Sequence, residues 1–482
     1  MPDIFSYLFP DNAWVYWGLM AAYILTILSI VGVVLSENRN PVKSLAWVTV
    51  LLLFPVGGVI LYIFFGRSIK NHHMISRRNK RRLRQNQPTP APSPSLSGLT
   101  RESRQQIQLA RSLTGSRFFI GNDVEIFTTG KEKFDRLLDD LSKAERSINL
   151  QYYIIEDDNI GRRLFDVLVK KASEGVKVRV IYDHIGSIHV KNSFFADMRK
   201  AGIEVYPFFR VVFPIFATRI NWRNHRKLVI IDGRIGYIGG MNVADRYITG
   251  GKFKKWRDTH LRVTGPAVAG LQASFAIDWN FMGQPLIEEE ISSEPAVTDH
   301  PAGMQLLTSG PTSQWSNIEY LLVKAIGNAR KRVYIQTPYF LPPEGMLRAL
   351  QTAALARVDV RIVMPLHSDS TILTYASYSY IEECLRAGIK IYLYKGGMLH
   401  SKTAVIDDEM CSVGSANIDF RSFEHNFEGN MFIYSREINQ RMRLLFESDI
   451  KESERLKLGA WRHRPRSQKI MESLYRLLSP VL

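Results

Sequence analysis

Cysteine is nearly absent, with only Cys384 and Cys411 among 482 residues, both in apolar stretches. That excludes a disulfide-stapled secreted fold and reads as two packing residues in a reducing compartment. Acidic side chains are scarce beside basic ones, 46 against 63, for a formal net charge of +17. Such an excess points to an anionic partner, phospholipid headgroups or nucleic acid, without choosing between them. No Cys-His cluster or clustered carboxylate set has metal-ligand spacing, and His72-His73 lies in a basic stretch where it reads as solvated, so neither metal nor cofactor is expected. Apolar residues are not lacking. At 45% hydrophobic and 23% charged the chain is globular, and it is long enough for two or three domains.

Formal charge is missing altogether from Trp14 to Leu35, a run long enough to cross a bilayer core of ~30 Å as a helix. A second run, Leu45 to Gly66, contains Pro55 and Gly57-Gly58, and either spans with a kink or dips in and returns. No basic segment precedes the first run, so it is read as retained, and residues 1–70 as a helical membrane anchor. Acidic residues are then absent from Arg67 to Arg84, where Arg77, Arg78, Lys80, Arg81 and Arg82 cluster. The positive-inside rule places everything beyond in the cytoplasm, which predicts a multi-pass membrane protein. The same charges would attract anionic lipid. Residues 71–98 form a basic, then Pro/Ser-rich linker, with proline at alternate positions from Pro88 to Pro94. Such a segment is extended and coreless.

Beyond the linker the sequence repeats itself. Ala144 to Tyr153 matches Ala329 to Tyr339, and Val176 to Tyr182 matches Val358 to Met364. Met198 to Tyr206 matches Leu385 to Tyr392. Helical segments 160–173 and 345–356 precede the second pair. Helices alternating with strands predict an α/β sandwich in each half, residues 99–287 and 304–482, joined by the acidic connector 288–303.

Each half also carries one short motif. Asn224-His225-Arg226-Lys227 runs into Leu228 to Asp232, and Leu399-His400-Ser401-Lys402 runs into Thr403 to Asp407. On a strand, His and Lys at this spacing share a face. The register continues without insertion to Gly239-Gly240-Met241-Asn242 and Gly414-Ser415-Ala416-Asn417. A single His-x-Lys is a weak signal, but two in register predict one cleft with two imidazoles and two ammonium groups between pseudo-dimeric halves. That set suits phosphodiester chemistry: one imidazole attacks phosphorus, the other protonates the departing alkoxide, and lysines balance phosphoryl charge. Each histidine also needs an acceptor on its other nitrogen. The expected partners are Asp258 for His225 and Glu428 for His400, each within its own half. Asp232 and Asp407, at turns and of opposite parity to the histidines, are expected to anchor structure more than carry protons.

Two further apolar segments are ambiguous. Phe208 to Ala217 reads equally as core or as a surface toward acyl chains, while Leu474 to Leu482 is expected to dock on the body in preference to lipid.

The paired His-x-Lys-x4-Asp motifs with Gly-Gly/Ser-x-Asn resemble those of the phospholipase D superfamily. The two hydrophobic runs, with Asn40-Pro41 before Ser44-Leu45-Ala46-Trp47 and Gly66-Arg67 after, resemble the bacterial cardiolipin synthases within it. The resemblance covers nearly the whole chain. It implies tandem phospholipase D-like α-β-α sandwiches behind a membrane anchor, and phosphatidylglycerol and membrane phospholipids as partners, with no nucleic acid. One phosphatidylglycerol would pass its phosphatidyl group to another, releasing glycerol, through a phosphatidyl-histidine. His225 would be nucleophile and His400 general acid, then base. Lys227, Lys402, Asn242 and Asn417 would hold the phosphate, and Asp232 and Asp407 would complete the catalytic sets His225-Lys227-Asp232 and His400-Lys402-Asp407. Gly240, where the superfamily often has serine as at Ser415, is a departure.

Overall fold

The computed structural model describes residues 13–36, 41–62, 73–85, 98–211, 221–289, 291–292, 294–477 and 479. Residues 37–40, the linker residues 86–97, the residues Val212 to Ile220 of the ambiguous apolar segment, and Leu478 with the residues beyond Ser479 lie outside them.

By compactness the chain divides into two units. One comprises Met1–Ser68 with Val211–Asn221, the other Ile69–Arg210 with Trp222–Leu482. In the smaller unit, helix Ala13–Ser36 packs Ile30 and Val31 on Leu51 and Tyr62. The second run breaks at Phe54, whose φ of −130° is not helical, and restarts at Pro55 as helix Pro55–Leu61. Proline favours a first helical turn because it lacks the N–H an interior position requires. Counting described residues only, no helix is long and apolar enough to cross a membrane. On the first helix, the side chains described are Trp14, Val15 and 17–32.

In the larger unit the predicted helix-strand pairs form where the repeats placed them. Helices Asn159–Ser173 and Glu344–Leu355 precede strands Lys177–Asp183 and Asp359–Pro365. Asp158 caps the first helix by accepting from Gly161 N at 3.0 Å, and Gly175, at φ +89°, follows its end. Such a cap is worth about 1 kcal/mol.

All the long strands join one sheet, whose order is nearly mirrored about its middle. Each half has three parallel strands at the outer side: Ser147–Tyr152, Lys177–Asp183 and Glu204–Phe208 in one, Arg332–Gln336, Asp359–Pro365 and Lys390–Tyr394 in the other. The motif hairpins, Leu228–Ile231 with Ile235–Gly239 and Thr403–Ile406 with Met410–Gly414, pair antiparallel inside them. At the centre Phe119–Phe127 meets Ala302–Ser309 antiparallel. The halves therefore share backbone hydrogen bonds across a common sheet as well as side-chain packing. One face of the sheet packs a separate core in each half. The other face carries a core common to both, under helices Val268–Phe281 and Arg436–Lys451. An α-β-α layering results. Cys384 and Cys411 are buried and free.

At the C-terminus, helix Arg466–Leu477 buries Glu472 against Arg464 at 2.8 Å and stacks Tyr475 on Tyr375. Leu474 and Leu477 point outward, at 53% and 78% exposure. The docking expected for this stretch thus holds for its neighbours but not for those two leucines.

Candidate active site

The His-x-Lys segments lie just before their strands, not on them. Strand Leu228–Ile231 begins one residue after Lys227, and Thr403–Ile406 one residue after Lys402. What fixes each segment is the opposite half. Arg223-Asn224 pairs in parallel with Asn426-Phe427, and His225 N donates to Phe427 O at 2.9 Å. Reciprocally, Met398-Leu399 pairs with Trp256-Arg257, and His400 N donates to Arg257 O at 2.7 Å. Each crossing sets a histidine one residue from the other half's carboxylate.

The acceptor assignments from sequence are therefore corrected by exchange. Glu428 holds His225, with Nδ1 at 2.9 and 3.1 Å from its two oxygens. Asp258 holds His400, with Nδ1 at 2.7 Å. Sequence proximity favoured partners within one half, whereas parallel pairing across the pseudo-twofold places the partner strand alongside. Both carboxylates are buried, while the side chains of His225 and His400 keep 13% and 9% exposure. With Nδ1 engaged, Nε2 is the nitrogen left for chemistry.

The electrostatics follow from burial. Desolvation pushes His225 down to about 4, against the pull of Glu428, and lowers His400, with Lys402 adding to the effect. Both imidazoles are accordingly neutral near pH 7. Desolvation also brings Lys227 down to about 7 and Lys402 to about 8, despite nearby Glu428 and Asp258. Burial raises Glu428, but its interaction and hydrogen bond with the His225 ring, the charge of Lys227 and the hydroxyl of Ser415 outweigh it and leave the carboxyl below its ordinary value. Lys402 acts electrostatically on both His225 and Lys227, so the two motifs feel one another across the halves.

A family profile described as "Cardiolipin synthase, PLD-like domain" matches residues 137–279 and 322–450. A second, "Phospholipase_D-nuclease N-terminal", matches residues 22–67. The major cardiolipin synthase of Bacillus subtilis is 40% identical over 95% of this chain and 98% of its own length. Cardiolipin synthase 2 of Bacillus anthracis is 39% identical over 93% and 89%. The chain belongs to the phospholipase D-like cardiolipin synthase family. Among solved structures, the phosphatidylserine synthase of Haemophilus influenzae shares the fold, with a TM-score of 0.59 at 13% identity over 78% of this chain and all of that one.

For a member of this family, the two half-sites are unequal in an informative way. Ser415 donates its hydroxyl to Glu428 and accepts from Gly429 N at 3.0 Å. At the matching Gly240, an added Cβ would lie 2.1 Å from Asp258 Oδ1. The shorter acid thus occupies the volume a serine would need, which accounts for the departure noted in the sequence. Gly240→Ser is expected to cost about 1–3 kcal/mol through this overlap and to displace the carboxylate behind His400. Urea unfolding, compared with Gly240→Ala, checks it, since alanine already carries the offending Cβ.

The lysines differ as well. Lys227 donates to His225 O at 2.6 Å. Lys402 reaches both His400 O and, at 2.8 Å, His400 Nδ1. At His225, only an ionised carboxylate meets Nδ1, so that nitrogen carries the hydrogen and Nε2 the lone pair. At His400, Nδ1 can donate to Asp258 or accept from Lys402, and the second choice leaves the hydrogen on Nε2.

The remaining sequence candidates divide. Asn242 and Asn417 are buried near the site, held by Tyr247 OH at 2.7 Å and Asp419 at 2.9 Å, and each amide nitrogen has one more hydrogen to offer. Asp232 and Asp407 stand at the far ends of the strands, roughly 16 Å from the lysines along extended chain. Asp232 accepts from the backbone N of Glu145, Arg146 and Ser147 at 2.7–2.9 Å, and Asp407 from Arg330, Lys331 and Arg332 at 2.7–3.0 Å. Both have positive φ, 53° and 48°. They fasten the hairpin turn to the entering strand, which corrects their placing among catalytic residues and agrees with the anchoring role.

Sequence reasoning missed the supports beneath the site. Arg226 forms a buried ion pair with Asp278 at 2.6 Å and donates to Glu428 O at 3.1 Å. Arg257 pairs with Asp449 at 2.8 Å and bonds Ser401 Oγ at 3.1 Å. Gln151 and Gln336 each donate to the respective aspartate at 2.6 Å. A signal existed: Phe275-Ala-Ile-Asp278 and Phe446-Glu-Ser-Asp449 repeat in the two helices covering the common core.

Proposed function

We propose that this protein transfers a phosphatidyl group between two phosphatidylglycerol molecules, giving cardiolipin and glycerol. The observation that carries the mechanism is the inequality at Nδ1. His225, whose Nε2 carries the lone pair, attacks phosphorus as the bond to the glycerol oxygen breaks, and His400 gives its Nε2 hydrogen to that oxygen while Lys402, 2.8 Å from Nδ1, passes a proton to that nitrogen, so that His400 stays neutral. His400 then takes at Nε2 the proton of the second phosphatidylglycerol's hydroxyl as that oxygen attacks, Nδ1 returns its proton to Lys402, and the phosphorus–nitrogen bond opens. Lys227 and Lys402, with the free amide hydrogens of Asn242 and Asn417, oppose charge on the phosphoryl oxygens. The hydrophobic runs Trp14–Leu35 and Leu45–Gly66 anchor the chain as a multi-pass protein of the bacterial inner membrane, with the catalytic halves on the cytoplasmic side. Close tethering favours a lipid alcohol over water as acceptor by raising its local concentration. Cardiolipin synthases similar over nearly the whole chain support this reading.

The test is full-length protein in vesicles of labelled phosphatidylglycerol. Expected are a labelled cardiolipin and an equal amount of free glycerol. Phosphatidic acid as sole product would make water the acceptor, and DNA nicking with no new lipid would reject the assignment.

A pH dependence follows. The value kcat/KM is expected to be level between about 4, where His225 gains a proton, and about 7, where Lys227 loses one. It should fall above 7 and more steeply past about 8 as Lys402 is lost. Lys227→Arg, which stays charged, should lower the rate but move the basic limb upward.

A further inference from the structure

The helix Arg466–Leu477 is amphipathic in an unusual direction for a body helix. Its inner side is accounted for: Glu472 is 2% exposed and paired with Arg464, Tyr475 stacks on Tyr375, and Arg476 meets Glu383 at 2.7 Å. Its outer side presents Ile470, Leu474 and Leu477, exposed at 67%, 53% and 78%. Spaced four and three residues apart, these three fall on one face and form a ridge.

Charge selects what covers such a ridge. From Lys457 to Arg476 the chain carries Lys457, Arg462, Arg464, Arg466, Lys469 and Arg476; Arg464 pairs with Glu472 and Glu382, Arg462 with Glu382 and Arg476 with Glu383, which leaves Lys457, Arg466 and Lys469 without an acidic partner among the described residues. Arg462 and Arg466 are exposed beside the ridge. An apolar ridge flanked by cations matches the headgroup layer of an anionic bilayer, which offers hydrocarbon at the depth of the ridge and phosphate at the depth of the basic side chains. Another copy of this chain would bring the same cations and repel. The helix is linked to the site through one neighbour. It packs on helix Thr371–Tyr378, which begins two residues after Asp369, and Asp369 acts electrostatically on His400 and Lys402.

We propose that Arg466–Leu477 is a second, interfacial membrane contact, seating Ile470, Leu474 and Leu477 in the surface of an anionic phospholipid bilayer so that the catalytic cleft meets substrate headgroups. It rests on the reading above only in that the substrate is a bilayer lipid.

The test uses the full-length protein reconstituted in vesicles, with Leu474→Cys carrying an environment-sensitive dye. Native Cys384 and Cys411 are buried, so labelling is selective. In phosphatidylglycerol vesicles the emission should shift to the blue and be quenched by brominated lipid, and both effects should weaken in purely neutral phosphatidylcholine. Emission of a water-exposed dye in both vesicle types, quenched by iodide and not by bromolipid, would overturn the proposal. So would a blue shift already present in detergent without lipid and dependent on protein concentration, which would assign the ridge to a second copy. As an independent readout, Leu474→Asp should raise the KM for vesicle-borne substrate several-fold while leaving turnover in detergent micelles unchanged. The dye signal needs no catalysis, so a failed phosphatidyl transfer and a failed membrane contact are told apart.

Discussion

His225→Ala is expected to lower phosphatidyl transfer by about five orders of magnitude, as removal of a covalent nucleophile does in comparable hydrolytic sites. The protein should remain folded, because the backbone of His225 is held by Phe427 O and not by its own ring. His400→Ala should reduce turnover comparably but differ in what accumulates. With no base to activate the acceptor hydroxyl, a phosphatidyl group placed on His225 is released slowly. Rapid quench of His400→Ala with labelled phosphatidylglycerol, followed by peptide mapping, should find label at the peptide containing His225. Label on neither motif would remove the covalent route, and label following His400 in the His225→Ala protein would reverse the roles.

The second large effect concerns the exchanged carboxylates. Glu428→Gln is expected to act on His225, and Asp258→Asn on His400, each by about 10³–10⁴-fold: an amide in place of Glu428 no longer accepts the Nδ1 hydrogen that leaves His225 its Nε2 lone pair, and one in place of Asp258 no longer accepts the Nδ1 hydrogen that His400 holds while it acts as base. The decisive measurement is the coupling between substitutions. Glu428→Gln should add little to His225→Ala, and Asp258→Asn little to His400→Ala. The pairings within a half, Glu428 with His400 and Asp258 with His225, should show far smaller coupling. The reverse pattern would contradict the cross-half geometry. The chemistry of the supports sharpens this expectation. Ser415, itself fixed by Gly429 N, holds Glu428 in place, whereas Asp258 takes a hydrogen bond from Thr259 N at 2.7 Å. Restoring the longer acid with Asp258→Glu would therefore require the volume beside Gly240 that the shorter acid leaves barely open.

Much of the frame was legible in the sequence because both periodicity and duplication record it. The helical segments expected at 160–173 and 345–356, found at Asn159–Ser173 and Glu344–Leu355, and the paired strands followed from the internal repeat. The role of Asp232 and Asp407 followed from parity, since residues of opposite parity to the histidines at a turn could not reach the cleft. Within Leu474 to Leu482, Tyr475 packs on the body as expected while Leu474 and Leu477 face outward, because apolar residues look alike in sequence whichever way they face, and only the buried Glu472 with its partner Arg464 reveals which side is inside.

By itself the sequence determined the composition of the site: two imidazoles, two ammonium groups and two acids, with the doubled register that makes their convergence necessary. It did so because side-chain chemistry and strand period are local properties. The tertiary structure alone decided who holds whom. Glu428 reaches His225, and Asp258 reaches His400, through short parallel pairings between residues about 200 and 140 positions apart, and such long-range contacts leave no periodic trace in the chain. The same crossing placed Lys402 on His400 Nδ1 and left His225 with a carboxylate alone, so the difference between two nearly identical motifs arises from their surroundings.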